Sequence, residues 1–577
     1  MKRYIFDIET NGLLADATKV HCIVMYDLDK GELLHLDNEA AIKKLTKADL
    51  IVGHNIIKFD IPVLKKIYDF KPRGKVFDTI IATRLLFPDI RDADFKRQDF
   101  PTKLIGRHSL EAWGHRIGKY KAHIETDWSE FTAEMLEYCK QDVIVNSGLY
   151  KAIEKKGYAQ SAMDLEHQVA DIIFRQEQHG FTFDNDKATR LFSTLNARRF
   201  EIEDELQELF PPIIKETTFI PKVNNKTRGY VKGEPFIKKE TVTFNPSSRQ
   251  HVAERFIDVY GWNPKEFTPD GKPKVDDVVL SKLDYPAAKL LAEHFLLDKR
   301  IAQLATGNQA WLKLETNGKL HGTCNTNSTV TARASHAYPN LAQVPSVHAP
   351  YGKECRELFT VPTGKKLVGI DVSGLEVRML AHYMAKFDNG EYTKVVLEGD
   401  IHTETQTLAG LDSRDLAKRF YYCFLYGGGV KKIAEVTGKT VKEAGQVKKR
   451  FLNNLPALNK LIEQVQSAAA KGHLKGLDGR QIKVRSPHSA LNTLLQSAGA
   501  IVCKKWLVEF DRLAKPYADV NQVVWVHDEI QVQVNAEWAS IIGDKAVEAI
   551  ENVGSELDLR IPLTGEYKIG NNWSETH

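Results

Sequence analysis

Two acidic stations stand near opposite ends of this chain, and each sits in a pattern that could hold a cation. The first is Tyr4-Ile-Phe-Asp-Ile-Glu-Thr-Asn-Gly12, a strand pattern whose period of two puts Asp7 and Glu9 on one face. Two carboxylates on one strand face repel each other unless a cation lies between them. The second is Val523-Val-Trp-Val-His-Asp-Glu-Ile-Gln-Val-Gln-Val534, two β-branched runs joined by a tight turn carrying His527, Asp528 and Glu529. Such a turn pushes adjacent carboxylates out of the sheet. A solvated hairpin tip is the plain alternative, because Asp is at home in turns. One Asp cannot hold a pair of Mg²⁺ ions alone, so a metal reading requires a second carboxylate from elsewhere.

Further acids follow both stations. Asp60 closes His54-Asn-Ile-Ile-Lys-Phe-Asp60, after the apolar strand Leu50-Ile-Val-Gly53. Met135-Leu-Glu-Tyr-Cys-Lys-Gln-Asp-Val143 has a helical pattern, with Tyr138 and Asp142 four apart on one face. Lys366-Leu-Val-Gly-Ile-Asp371 reads as a buried strand ending in an acid, with Ser373 as the cap of a helix that opens Leu375-Glu376. An acid at a strand end, beside a hairpin acid, is what a two-metal phosphoryl-transfer site needs. Between them, Arg414, Lys418 and Tyr422 fall at i, i+4 and i+8 and drift only about 80° around a helix. Two cations followed by a ring match a triphosphate followed by a nucleoside; an ordinary basic helix is the alternative. The polar run Asn325–Ser335, with Arg333 near its end, suits phosphate and minor-groove contacts.

The elements that must position these residues belong to several domains, because 577 residues exceed one core. Asp164–His179 is an amphipathic helix stopped by Gly180, and a charged helix runs on to about Leu209. Residues 211–243 are broken by Pro and Gly and carry seven Lys/Arg against three Glu. They read as a basic loop or hairpin, either a linker or a DNA contact. Residues 287–314 read as helical, with Lys299-Arg300 midway and a break near Gly307. A net charge of +4 predicts no polyanion partner by itself, so any nucleic-acid surface must come from clusters such as that pair. Six scattered cysteines, with no Cys-x-x-Cys, argue against structural zinc and disulfides and for a reducing compartment. The N-terminal residues turn acidic too soon for a signal peptide, and no apolar run approaches a membrane span. The expectation is a cytoplasmic protein without a membrane partner.

Asp-Ile-Glu-Thr at Asp7, Asn-x-x-x-Phe-Asp at Asp60 and Tyr-x-x-x-Asp at Asp142 resemble the DEDD-type 3′→5′ exonucleases that have tyrosine in the last motif. That resemblance implies two divalent ions held by Asp7, Glu9, Asp60 and Asp142, with Tyr138 orienting the attacking water. Asp371-Val-Ser-Gly-Leu-Glu376, the Arg-x-x-x-Lys-x-x-x-Tyr helix and Val526-His-Asp-Glu529 resemble motifs A, B and C of family A DNA polymerases, closest to those of T-seven-like podophages. Gly399-Asp-Ile-His-Thr403, Gly476-Leu-Asp-Gly-Arg480 and Asn492–Gly499 extend the likeness over essentially the whole chain.

The implied fold is α+β and multidomain: an RNase H-like α/β exonuclease domain (1–155), then a right-hand polymerase domain. Within the latter, 160–320 would be the thumb region, 321–385 and 485–577 the palm, and 386–484 the fingers. The resemblance further implies that Asp371 and Asp528, helped by the Val372 carbonyl, bind two Mg²⁺, with Mn²⁺ able to substitute and Glu529 beside them. His402, Arg414 and Lys418 would bind the triphosphate. Tyr422 and Glu376 would line the sugar pocket, with Tyr426 near the templating base. Arg333, Gln496 and His527 would hold the primer–template end, with Lys299 and Arg300 as further DNA contacts.

The implied partners are primer–template DNA, dNTPs and a processivity or replisome factor. Thioredoxin is disfavoured, because residues 211–243 are too short for the thumb insertion that binds it in the phage enzymes. Ala332 stands where the family usually has Gly, which argues against a left-handed backbone there. No 5′-nuclease domain is expected before Asp7. The competing readings are a single-subunit RNA polymerase-like nucleotidyltransferase and a stand-alone exonuclease on a DNA-binding scaffold.

Overall fold

Strand Arg3–Thr10 (β1) is buried along most of its length, as the apolar residues between its acids require. It pairs antiparallel with Val20–Asp27 (β2), which in turn pairs with Glu32–His35 (β3). On its other side β1 runs parallel to Leu50–Gly53 (β4), followed by Lys75–Asp78 (β5). The order β3-β2-β1-β4-β5 is the mixed sheet expected of an RNase H-like domain. Helix Asp60–Tyr68 (α1) starts at its acid, and Ala133–Lys156 (α2) is capped by the Thr132 side chain, which accepts from Met135 N.

The computed structural model describes residues 1–577 in two units: Met1–Phe181 with His321–Val344 and Thr360–His577, and Thr182–Leu320 with Pro345–Phe359. Helix Gln160–His179 (α3), expected with the thumb region, belongs instead to the first unit. Its Leu165, Val169, Ile172 and Ile173 join that unit's main apolar core, and a buried charge network fixes the helix there. Buried Glu166 on α3 lies 2.6 Å from both Arg480 Nη1 and Lys504 Nζ, and Asp478 holds Arg480 Nη2 at 2.6 Å.

The first unit also contains a four-stranded antiparallel sheet made of Lys365–Val372 (β6), Asn521–Val526 (β7), Glu529–Asn535 (β8) and Gly565–Gly570 (β9), in the order β7-β8-β6-β9. A Cβ on Gly565 would lie 2.8 Å from the Asp371 carbonyl, so β9 can approach that strand end only with glycine there. Helix Leu375–Asp388 (α4) is entered through Gly374 at φ 58°, with no side-chain cap. Ser373 is therefore not the cap: the turn needs a left-handed residue, and the Ser373 amide bonds the Thr564 carbonyl instead. Ile401–Ala409 (α5), Arg414–Leu425 (α6) and Ala490–Ala514 (α7) complete the frame of the polar sites.

In the second unit, residues 211–243 form a regular antiparallel hairpin, Ile213–Phe219 with Phe236–Val242. Phe219, Tyr230 and Phe236 pack edge to face at 4.6–5.8 Å, an aromatic clamp that lets the hairpin form despite its Pro and Gly. Arg300, expected on a DNA surface, is buried, with Nη1 3.4 Å from Gln303 Oε1, whereas Lys299 is exposed. Neighbours on a helix point about 100° apart, so the two cannot share one surface. Arg300 belongs to the packed face with Leu297 and Ile301.

The Glu166 network yields a stability prediction. Glu166→Ala leaves two buried cations with one acid and should cost about 3–5 kcal/mol in urea unfolding, the penalty of an uncompensated buried charge. A loss below about 1 kcal/mol would mean that water, not Glu166, balances Arg480 and Lys504.

Candidate functional site

The N-terminal acids come from three elements and act on one another's charge. Asp7 and Glu9 come from β1, Asp60 from the first turn of α1 and Asp142 from α2. Burial and then the Asp142 charge push Asp7 up to about 7; burial and then Asp7 push Glu9 up to about 10. Asp60 and Asp142 are likewise raised, chiefly by burial. Asp60 Oδ1 and Asp142 Oδ1 are buried without a hydrogen-bond partner. Crowded carboxylates with free, buried oxygens fit hard divalent cations. Tyr138 stands one turn before Asp142, edge-on to Trp128 at 6.2 Å.

Two residues in this cluster escaped the sequence reading. Lys121 Nζ lies 2.6 Å from Asp142 Oδ2 and 4.6 Å above the Tyr138 ring. It lies in an irregular stretch with no periodicity to flag it. Cys139 falls inside the tyrosine motif but, as a single cysteine in a helix, reads as packing; its Sγ is 3.4 Å from the Asp7 carbonyl.

The second cluster sits where β6 ends beside the β7–β8 turn. Asp371 faces Glu529 in register, and the Val372 amide donates to the Asp528 carbonyl at 3.0 Å. His527 is left-handed, at φ 57°, and its carbonyl accepts from Trp525 Nε1 at 2.9 Å, which fixes the turn that carries Asp528. Burial, then Asp528 and Glu529, push Asp371 up to about 7; burial, then Glu376, push Asp528 up to about 6. Asp371 still reaches solvent, so the repulsion between carboxylates is the part a cation would cancel. Glu529 turns toward the end of the chain: its Oε1 accepts from Trp573 Nε1 at 2.6 Å and from Gln531 Nε2 at 2.7 Å. It braces the turn, while Asp371 and Asp528 face the cleft.

Of the remaining expected residues, Arg333, Glu376 and His527 gather beside Asp528. Arg333 Nη2 lies 2.9 Å from Glu376 Oε1. Ala332, buried beside it, is left-handed at φ 61°, against the expectation from its missing glycine. Burial, then the charge of Glu376, push both Tyr426 and Tyr422 up. Along α6, Arg414 Nε lies 2.5 Å from Asp400 Oδ2, and Lys418 is exposed. His402 on α5 is buried, 5.7 Å from the Tyr422 ring, with Nδ1 unpartnered. Burial, then the charge of Arg414, hold its pKa down. Gln496 stands on α7 one turn before Gly499, and Gly499, Cys503, Arg333, Glu376, His527 and Asp528 line one small cavity. Lys299 and Arg300, in the second unit, are not among these residues.

Comparison with known proteins agrees with this division. The family "DNA polymerase family A" matches residues 226–575, and "3′-5′ exonuclease" matches residues 5–157. The DNA-directed DNA polymerase of Enterobacteria phage T3 is 37% identical over 706 positions, covering 99% of this chain and 100% of the relative. That of Escherichia phage T7 is 37% identical over 705, with the same coverage. DNA polymerase I of Aquifex aeolicus is 26% identical over 618, covering 99% of this chain and 95% of the relative. Among solved structures, the POL domain of Pol1 from M. smegmatis, in complex with DNA primer-template and dNTP, superposes with a TM-score of 0.76. It is 16% identical and covers 99% of this chain and 96% of that chain.

The raised carboxylates of the second cluster carry a pH prediction. Because Asp371 and Asp528 are raised above the unfolded range of about 4, the stability they contribute without metal is fully present below that range. It is lost as pH rises through about 6 and 7. Stabilisation by Mg²⁺ should therefore be small near pH 5 and large near pH 8, since the ion binds the charged form. In Asp371→Asn/Asp528→Asn this rise should shrink, leaving the part that comes from Asp7, which is also raised to about 7. An unchanged rise would show that these two aspartates do not bind the ion.

Proposed function

We proceed from the fact that this chain belongs to DNA polymerase family A and carries a 3′-5′ exonuclease domain, and we propose that it extends a DNA primer on a template and excises mispaired ends at a second centre. The observation that carries this reading is the convergence of α6, Glu376 and Arg333 on the Asp371–Asp528 pair, apart from the Asp7–Glu9–Asp60–Asp142 cluster. In the extension reaction the primer 3′-hydroxyl attacks the α-phosphorus of a dNTP and pyrophosphate leaves. Asp371, Asp528 and the Val372 carbonyl would hold two Mg²⁺, which when bound stabilise charge on the attacking and leaving oxygens. Asp7, Glu9, Asp60 and Asp142 would hold two more for hydrolysis of the terminal phosphodiester.

The chain's own residues supply binding and orientation. His402, Arg414 and Lys418 form a cationic and hydrogen-bonding strip suited to a triphosphate, and Asp400 keeps Arg414 in place until phosphate oxygens compete for it. Tyr422 and Glu376 would close on the sugar, and Tyr426 would lie under the templating base. Arg333, Gln496 and His527 would contact the primer end, and Tyr138 would orient the hydrolytic water. A processivity factor other than thioredoxin is part of the proposal. The hairpin of residues 213–242 is short, and the phage alignments run over 705–706 positions against 577 residues here. No helix is long and apolar enough to cross a membrane; the cytoplasm is the proposed compartment.

Separate centres should give separable defects. Asp7→Ala with Glu9→Ala should abolish 3′→5′ digestion and leave extension largely intact. Asp528→Ala should do the reverse, slowing extension by at least about 10²–10³, the scale of losing one electrostatic stabiliser. A folded variant that lost both activities would refute the two-centre assignment. An rNTP preference in the same primer-extension assay would favour the RNA polymerase-like reading.

The sugar contact is tested at one oxygen. Tyr422→Phe removes a hydroxyl that can satisfy polar groups left unpaired when the incoming nucleotide lacks its 3′-OH. In an exonuclease-deficient background, discrimination against dideoxynucleotides, as the ratio of kcat/KM values, should rise by orders of magnitude, within a ceiling of about 10⁴–10⁵. Equal ratios before and after the change would remove Tyr422 from the sugar pocket.

A further inference from the structure

The N-terminal cluster contains a donor that a purely hard-metal centre does not need. Cys139 on α2 is completely buried, and its Sγ lies 3.4 Å from the Asp7 carbonyl and 3.6 Å from Asp7 Oδ2. One donor atom each from Asp7, Glu9 and Cys139 lies within 4.8 Å of the others. Two ligands on one tetrahedral zinc sit about 3.5 Å apart, so small side-chain rotations would bring all three onto one ion. Cys22 is the cross-strand partner of Glu9, which puts a second sulfur at the edge of the group. Independently, Asp60 and Asp142 are 3% and 4% exposed, and each turns an oxygen without a partner into the same cluster. With Lys121 as the cation set against four acids, the cluster remains short of positive charge.

We propose that Asp7, Glu9 and Cys139 form a mixed carboxylate–thiolate site that takes a thiophilic divalent cation, of the zinc and cadmium class, in preference to Mg²⁺. The proposal rests on the exonuclease reading of this cluster and adds a metal selectivity to it. Mg²⁺ dehydrates reluctantly and favours oxygen, so Cys139 adds little to its binding; zinc and cadmium accept sulfur and carboxylate together. On binding, the Cys139 thiol releases its proton to solvent and the sulfur takes a coordination position. The hydrogen bond it makes to Asp7 is exchanged for a shared ion, so no carboxylate is left bare.

The test is a Cd²⁺ titration of the full chain, followed by the ultraviolet thiolate-to-cadmium charge-transfer band. It is run in a Cys423→Ser background, because Cys423 is the one cysteine that is not buried. A saturable band should appear, be lost in both Cys139→Ala and Cys139→Ser, and need at least about ten-fold more Cd²⁺ in Asp7→Asn. Cys139→Ser keeps a hydrogen-bond donor of similar shape, so its loss of the band reports coordination and not misfolding. No band, or a band that survives Cys139→Ser and is lost in Cys22→Ser, would overturn the assignment. Excision of a mispaired primer end in Mg²⁺ is measured in parallel on the same protein. If excision is absent, the exonuclease reading fails; if it is present without a thiolate band, only the metal selectivity fails.

Discussion

Like charges held at close range are the constraint on which this structure depends. At each centre, acids from separate chain segments are buried together until their ionised forms are disfavoured, first by loss of hydration and then by each other's charge, as the raised Asp7, Glu9, Asp371 and Asp528 show. Left to themselves these groups would separate, because each gains hydration by moving outward. What prevents it is that their backbones are fixed by structure that is stable for other reasons. Asp7 and Glu9 lie on a central strand paired on both sides, Asp371 ends a strand paired on both sides, and Asp528 sits in a turn closed by Trp525. The apolar cores around Ile5 and Val52, and around Val368 and Ile530, hold the acids in a geometry that only a cation relieves.

The same first unit ties the two centres together through half-buried and buried polar contacts and not only through apolar packing. Lys58, two residues before Asp60, lies 2.7 Å from Glu177 on α3, and Glu177 Oε1 accepts from the Cys324 amide at 2.7 Å. Cys324 opens the segment that leads to Arg333. Asp78 at the end of β5 accepts from the Asn55 and Ile57 amides, fixing the loop from which Asp60 emerges. Together with Glu166, Arg480 and Lys504, these contacts leave the loops around both acid clusters few alternative positions. Apolar contacts alone would fill the volume without fixing the register, because they have no direction.

The acid clusters were legible in the sequence because their spacing follows the geometry of the elements. Period two on β1 and period four on α2 put Asp7 with Glu9 and Tyr138 with Asp142, as read. The strands carrying Asp7 and Asp371, the hairpin carrying Asp528, α3 after Asp164 and the break at Gly307 were legible for the same reason. Contacts made only through long-range packing were not. Nothing periodic links Lys121 to Asp142, Cys139 to Asp7, or Glu166 to Lys504, so none of these pairs could be read. Arg300 departs from its expected exposure for a related reason: charge marks a residue as polar, but the turn of the helix decides whether it meets water.

Ala332 shows how local hydrogen bonding can outweigh a residue's intrinsic preference. A left-handed alanine is disfavoured by about 1–2 kcal/mol, because Cβ crowds the following carbonyl, which is why the sequence argues against that conformation here. The structure places it at φ 61° and buries it. The turn is closed by the Ala332 amide donating to the Thr329 carbonyl at 3.0 Å and by the Arg333 amide donating to Thr329 Oγ1 at 3.0 Å. Each such bond contributes about 1 kcal/mol net, so two of them suffice to offset the cost. An extended Ala332 would break both and swing Arg333 away from Glu376, leaving an acid without its cation beside Asp371 and Asp528. The conformation is thus selected by the charge balance of the cleft and not by the residue that adopts it.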